Sequence, residues 1–143
     1  MLFRSQWIVE QFRAGGLATA EPPIVAVQPN NGNPHYEPKA GSSRPIRAGD
    51  LLLLDIFAKR EIAGSVYYDI TWVGYLGNRV PDSYAKIFRI VRQARDNAVK
   101  FIQEAVAKRK EIHGWEVDKV ARKTIEKAGY GKYFVHQIGR AHV

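Results

Sequence analysis

The fold is decided by the stretch Asp50–Gly74, DLLLLDIFAKREIAGSVYYDITWVG. Leu51–Phe57 is a short apolar run, and Val66–Val73 is rich in the aromatic and β-branched residues that favour strands. The polar connection between them ends in Ala63-Gly64, a dipeptide typical of turns. The stretch therefore predicts two strands of one antiparallel ribbon.

Each predicted strand carries one carboxylate, although aspartate is depleted in strands. Asp55 follows four leucines, and Asp69 lies in the middle of the second strand. Because side chains alternate between the two faces of a strand, one pairing of the ribbon brings both carboxylates onto the same patch. Neighbouring anions need compensating cations, and carboxylate oxygens are suitable ligands for divalent metal ions. Two interpretations remain open from spacing alone: a shared metal site, or an aspartate at a hairpin end paired with an arginine.

The ribbon resembles the metal-binding ribbon of the pita-bread metallopeptidase family, which includes methionine aminopeptidase, aminopeptidase P, prolidase and the non-peptidase creatinase. In that family one Asp ends a hydrophobic strand, and a second Asp follows on the next strand in a D-x-T context. Asp55 and Asp69-Ile70-Thr71 match these positions, although their separation of 14 residues (69 − 55) is longer than in most members. The longer loop and the D-I-T-W sequence resemble a bacterial Xaa-Pro peptidase branch.

The resemblance implies an α+β fold, the first half of a pita-bread domain, with an antiparallel curved sheet and two long helices on one face. It implies that Asp55 and Asp69 bind two divalent metal ions, for which Mn, Co, Zn and Fe are all acceptable. The family's remaining His ligand and two Glu ligands are absent from this chain, and the position of that His is occupied by Arg140. His35 and His136 match histidines that line the substrate pocket.

The resemblance also implies a function for a full-length parent protein. That function is the hydrolysis of a peptide bond next to proline by a metal-bridged water, in an enzyme that forms a homodimer. The substrate is a peptide with proline after the scissile bond, and the fragment itself is expected to be inactive. Two alternatives remain open: a pseudo-peptidase that binds proteins or peptides, and a creatinase-like hydrolase of a small carbon–nitrogen bond.

The rest of the chain predicts elements around the ribbon. These are a helix at Gln6–Arg13, a strand at Ile24–Val27, helices at Asp82–Lys108 and Glu116–Ala128, and a further strand at Gly129–His136. The second helix is basic at Arg89, Arg92 and Lys100, which favours a solvated outer face over a nucleic-acid surface.

The length and composition of the chain limit the class of protein to which it can belong. The chain has 143 residues, of which 45% are hydrophobic and 25% charged, as in one ordinary globular domain. It contains no cysteine, which excludes disulfides and thiolate metal sites and favours a reducing cytoplasm. No apolar run has transmembrane length. We therefore expect neither a membrane nor a nucleic acid as a partner.

Both ends resemble translated sequencing adapter. Ile138–Val143 is encoded by one frame of a common adapter, and Leu2–Ser5 by its opposite strand. We interpret residues 1–5 and 138–143 as adapter-derived and residues 6–137 as a partial pita-bread catalytic domain. Without Arg4 and Arg140, 20 basic residues face 14 acidic ones, so the formal net charge falls from +8 to +6.

Overall fold

The computed structural model describes residues 4–33, 36–37, 43–135 and 137. The chain divides into two compact units, Met1–Arg79 and Val80–Val143. Among the described residues, the first unit carries an antiparallel sheet and one α-helix, and the second carries two α-helices. Strands and helices are thus segregated along the sequence, as in the predicted α+β class.

The first unit contains helix α1 (Arg4–Ala14) and strands β1 (Leu17–Ala18), β2 (Ile24–Val27), β3 (Leu51–Arg60) and β4 (Tyr68–Tyr75). Strand β3 lies in the middle of the sheet, where it pairs antiparallel with β4 and with β2, and β1 pairs with the end of β3. The ribbon predicted from the sequence is confirmed. Compared with the prediction, β3 extends three residues further and β4 starts and ends two residues later.

Two glycines in the left-handed region close the ribbon. Gly64, with φ 75°, lies in the turn between β3 and β4, where a side chain would strain the backbone. Gly49, with φ 90°, lies at the other end, and its N–H donates to the carbonyl of Leu76 at 2.7 Å. The N–H of Leu76 donates in turn to the carbonyl of Asp50 at 2.8 Å. Both ends of the ribbon are therefore fixed by local backbone geometry.

The second unit contains helices α2 (Asp82–Ala107) and α3 (Gly114–Lys127), so both predicted helices are confirmed. Three alanines at the contact allow the two helices to approach closely, and the cluster is completed by larger apolar residues. Its buried members are Ala94, Ala98, Val117, Ala121 and Ile125. Ile87 and Val91, nearer the start of α2, are exposed.

Helix α3 begins two residues earlier than predicted, at Gly114. The backbone N–H of His113 donates to Oε2 of Glu116 at 2.9 Å, so a glutamate in the first turn caps the helix start. The side chain of His113 itself is exposed. Gly129, with φ 85°, follows the last turn and ends the helix as predicted.

The strand predicted at Gly129–His136 is wrong over its described residues. A short 3-10 helix occupies Gly131–Tyr133. The N–H of Phe134 donates back to the carbonyl of Gly131 at 3.0 Å, and the carbonyl of Phe134 accepts from Nη1 of Arg122 at 2.8 Å. The backbone groups of Phe134 are thus used locally and by a side chain of α3, and neither forms a strand ladder.

Candidate metal centre

Asp55 lies in the middle strand of the sheet. On β4 it is directly opposite Thr71, and on β2 it is directly opposite Ile24. The hydroxyl of Thr71 donates a hydrogen bond to Oδ1 of Asp55 at 2.7 Å. Asp55 is half-buried, and its Oδ2 accepts no hydrogen bond from the described residues. One carboxylate oxygen is therefore anchored, while the other remains available to a ligand.

Asp69 lies on the same face of the ribbon as Asp55. Its partner across the ladder is Phe57, which is two residues along β3 from Asp55. Directly opposite residues of an antiparallel pair point to the same side, and so do residues two apart on one strand. The two aspartates are therefore diagonal neighbours, a relation that separates residues by about 7–8 Å. Asp55 and Asp69 are thus the residues that would hold a divalent cation on this face of the ribbon.

An aromatic pair flanks the two carboxylates. The rings of Phe57 and Tyr67 stack with centroids 4.1 Å apart and an interplanar angle of 2°. The ammonium group of Lys59 lies 4.9 Å from the centroid of the Tyr67 ring. One side of the carboxylate patch is thus walled by stacked rings.

The alternative interpretation paired Asp55 or Asp69 with an arginine at a hairpin end, whereas the described residues form an aspartate–arginine pair at a different aspartate. Asp50, at the start of β3, forms an ion pair with Arg44 at 2.8 Å and is 8% exposed. Among the described residues, neither Asp55 nor Asp69 takes part in an ion pair. The two carboxylates on the ribbon face are thus left without a neutralising side chain in this part of the chain.

Arg44 and the backbone around it hold Asp50 in its charged form. The guanidinium donates to both carboxylate oxygens, and the N–H of Arg47 donates to Oδ2 at 2.7 Å. The hydrogen bond from Arg44, followed by that from Arg47, lowers the pKa of Asp50 below its ordinary value. Arg44 also donates to the carbonyl of Gln28, so this cluster joins the two ends of the long loop before β3. The sequence offers one signal for this cluster, the Gly49-Asp50 step directly before the four leucines.

The predicted histidines, His35 and His136, lie outside the described residues. Within the described ranges, no group of three or more His, Cys, Asp or Glu side chains could hold a metal ion. Asp55 and Asp69 provide the hard oxygen donors that divalent ions prefer, but two residues are fewer than a complete coordination shell. The donor set therefore fits part of a divalent-metal site.

An apolar cavity of about 310 Å³ lies on the opposite face of the ribbon. Its wall includes Ile56, Ala58 and Tyr68, which alternate along β3 and β4 with the residues of the carboxylate face. Phe12 of α1 and Leu17 of β1 complete part of this wall. The cavity is thus separate from the candidate metal centre.

None of the helices in the described part of the chain is long and apolar enough to cross a membrane.

This chain is similar in sequence and in fold to known Xaa-Pro peptidases. An Xaa-Pro dipeptidase of Lactobacillus helveticus is 31% identical over 116 residues, which cover 81% of this chain and 28% of that protein. The crystal structure of an X-Pro aminopeptidase from Thermotoga maritima superposes with a TM-score of 0.72 at 26% identity, over 90% of this chain and 33% of that one.

A second crystal structure, dipeptidase PepE from Mycobacterium ulcerans, superposes with a TM-score of 0.71 at 26% identity and covers 92% of this chain and 32% of that one. The chain thus spans about a third of the length of the proteins it matches. These similarities confirm the α+β pita-bread fold class. Residues 5–142 match the sequence model of Metallopeptidase family M24. Because that match covers nearly the whole chain, the protein belongs to metallopeptidase family M24.

Proposed function

We propose that this chain is part of a metal-dependent exopeptidase that cleaves a peptide bond next to proline, with Asp55 and Asp69 as ligands of two divalent metal ions. The observation that supports this proposal is the register of β3 and β4, which puts both carboxylates on one face as diagonal neighbours. The names of the relatives, Xaa-Pro dipeptidase and X-Pro aminopeptidase, support proline as the residue after the scissile bond.

The chain's own residues bind metal ions and shield the site in this function. Asp55 and Asp69 bind and orient the cations, which can be Mn, Co, Zn or Fe. The stacked pair Phe57 and Tyr67 shields one side of the carboxylate patch from water. Bound divalent cations supply Lewis-acid polarisation of the scissile carbonyl and make water a stronger nucleophile at neutral pH. We also propose that the full-length parent is a homodimer and that His35 and His136 contact its substrate.

Two alternative functions predict different residues in the longer protein. A binding module that has lost catalysis does not need the two glutamate ligands of the family, so other residues would stand at those positions. A creatinase-like hydrolase acts on a small carbon–nitrogen bond, and its pocket residues and an N-terminal domain would distinguish it from a peptidase. Retention of both Asp55 and Asp69 favours a protein that binds metal.

A chimera tests the proposed ligands. Residues 6–137 replace the corresponding segment of the Thermotoga maritima X-Pro aminopeptidase, whose fold they share, so that the host enzyme keeps its own residue at the position of Arg140. We expect the chimera to hydrolyse an Xaa-Pro dipeptide in the presence of Mn²⁺. Asp55→Asn and Asp69→Asn should each reduce kcat by more than about a hundredfold. The loss of a residue that binds the metal directly should cost at least as much activity as the loss of a residue that only hydrogen-bonds to a metal ligand.

Asp96→Asn is the matched control, because Asp96 is exposed on α2 and forms an ion pair only with the neighbouring Arg95 among the described residues. Its kcat should equal that of the unmodified chimera. Metal content and circular dichroism of each variant show whether it is folded and loaded. Full activity in a folded Asp55→Asn or Asp69→Asn chimera would refute the ligand assignment.

A further inference from the structure

Asp55 has four nearest neighbours on its face of the sheet. Leu53 and Phe57 are two residues away along β3, and Ile24 and Thr71 are directly opposite on β2 and β4. Three of these side chains are hydrocarbon and offer no hydrogen-bond donor. The position of Thr71 is therefore the one neighbouring position on this face from which a side chain donates to the carboxylate.

The contact between the two side chains is direct. The Thr71 hydroxyl lies 2.7 Å from Oδ1 of Asp55, a short distance typical of a hydroxyl that donates to a charged oxygen. Threonine is branched at Cβ, so few side-chain rotamers are available to it on a strand. A stiff donor on a paired strand restricts rotation of the carboxylate about its Cβ–Cγ bond. The two oxygens of Asp55 thus differ, since Oδ1 is held by Thr71 and Oδ2 accepts no hydrogen bond from the described residues.

Asp69 lacks an equivalent donor across the ladder. The residue opposite it is Phe57, which has no polar atom in its side chain. Asp69 is also more exposed than Asp55. A hydrogen bond from the opposite strand therefore fixes the orientation of the Asp55 carboxylate but not that of Asp69. A substitution at position 71 should change the orientation of the Asp55 carboxylate.

We propose that Thr71 is a positioning residue, whose hydroxyl holds the Asp55 carboxylate in the orientation that binds a divalent cation. The proposal rests on the proposed function, because it requires Asp55 to be a metal ligand. Residues that hydrogen-bond to metal ligands fix their orientation, and their loss weakens metal binding by about 10–100-fold. Thr71 touches neither the reacting atoms nor the cation in this role.

The test is a titration of the 143-residue chain with millimolar Mn²⁺, followed by paramagnetic broadening of backbone amide signals from β3 and β4 in NMR spectra. This readout measures metal binding and requires no catalysis. Thr71→Val keeps the branched shape but removes the donor, and Thr71→Ala removes it in a smaller side chain. We expect both to weaken the apparent Mn²⁺ affinity about tenfold, whereas Thr71→Ser should stay within about threefold of the unmodified chain, because it keeps the donor.

Two further variants distinguish a failure of the proposed role of Thr71 from a failure of the proposed metal site. Asp55→Asn should weaken binding at least as much as Thr71→Val. Thr124→Val is the matched control, because the Thr124 hydroxyl donates to the carbonyl of Val120 within α3, and binding should not change. If Asp55→Asn weakens binding and both Thr71→Val and Thr71→Ala do not, the positioning role of Thr71 is refuted while the metal site stands. If Asp55→Asn has no effect, the ligand role of Asp55 fails, and the role of Thr71 fails with it.

Discussion

Two aspartates five residues apart, Asp50 directly before β3 and Asp55 on it, have contrasting environments. Asp50 is buried and receives hydrogen bonds from a guanidinium and a backbone N–H. Asp55 is half-buried and receives one hydrogen bond from Thr71 among the described residues. The first arrangement neutralises its carboxylate and joins the loop to the sheet. The second leaves the negative charge uncompensated, which is a cost for folding that a bound cation would remove.

Asp50→Asn should destabilise the first unit in a manner that depends on pH. The pKa of Asp50 is lowered in the folded chain, first by Arg44 and then by the N–H of Arg47. A carboxyl group with a lowered pKa contributes stability above its unfolded pKa and loses that contribution as the pH falls through its folded pKa. We therefore expect Asp50→Asn to lower the urea midpoint at pH 7. The difference from the unmodified chain should shrink below about pH 4.

Urea titrations followed by tryptophan fluorescence at pH 7, 4 and below measure this effect. Asp96→Asn is again the control, since Asp96 is about half exposed and pairs with an adjacent arginine whose side chain is also exposed. Exposed pairs of this kind contribute about 0–1 kcal/mol. A difference between Asp50→Asn and the unmodified chain that stays constant, or grows, as the pH falls would contradict the assigned cause.

At the scale of elements, helix α3 and the segment after it are joined by Arg122. Its Nε lies 2.9 Å from Oδ2 of Asp118, one turn earlier, and the Asp118 side chain is 9% exposed. Its Nη1 donates to the carbonyl of Phe134, and its guanidinium lies 4.4 Å from the centroid of the Phe134 ring. One side chain thus fixes the course of the chain beyond Gly129. This arrangement replaces the strand that was predicted there.

Arg122→Met should destabilise the second unit by about 1–3 kcal/mol, because it removes the guanidinium that hydrogen-bonds to the buried Asp118 carboxylate and to the carbonyl of Phe134. Thermal unfolding followed by circular dichroism at 222 nm measures the change. The matched control is Lys100→Met on α2, whose ion pair with Glu104 has the same i,i+4 spacing but is exposed. The control should change stability by less than about 0.5 kcal/mol. Equal effects of the two substitutions would show that burial of Asp118 is unimportant.

At the scale of the whole molecule, the chain carries the two carboxylates that we propose as metal ligands, and it spans about a third of the length of its relatives. Within the described residues, no third His, Cys, Asp or Glu joins Asp55 and Asp69 in a metal-holding group. We therefore expect the purified 143-residue chain to show no Mn²⁺-dependent hydrolysis of an Xaa-Pro dipeptide. Release of free proline, measured with and without Mn²⁺, checks this expectation. Turnover that is lost in Asp55→Asn would contradict it.

The sequence by itself determined the types and approximate bounds of the main elements. The helical periodicity after Pro81 and after Ile112 predicted α2 and α3, because each buries one stripe against the other. The runs at Ile24–Val27 and Leu51–Phe57 predicted β2 and β3, because apolar β-branched and leucine-rich runs suit a covered strand. The two residues of β1 were missed, since so short a strand has no periodicity.

Tertiary structure alone decided which side chains meet. A slip of one residue between β3 and β4 would turn Asp55 and Asp69 to opposite faces, and nothing in the alternation of either strand excludes that slip. The observed register depends on the turn at Gly64 and on the backbone hydrogen bonds near Gly49, which fix both ends of the ribbon. The same register places Thr71 opposite Asp55. Pairings between strands depend on contacts that are distant in sequence, so only the folded structure decides that Asp55 and Asp69 share one face.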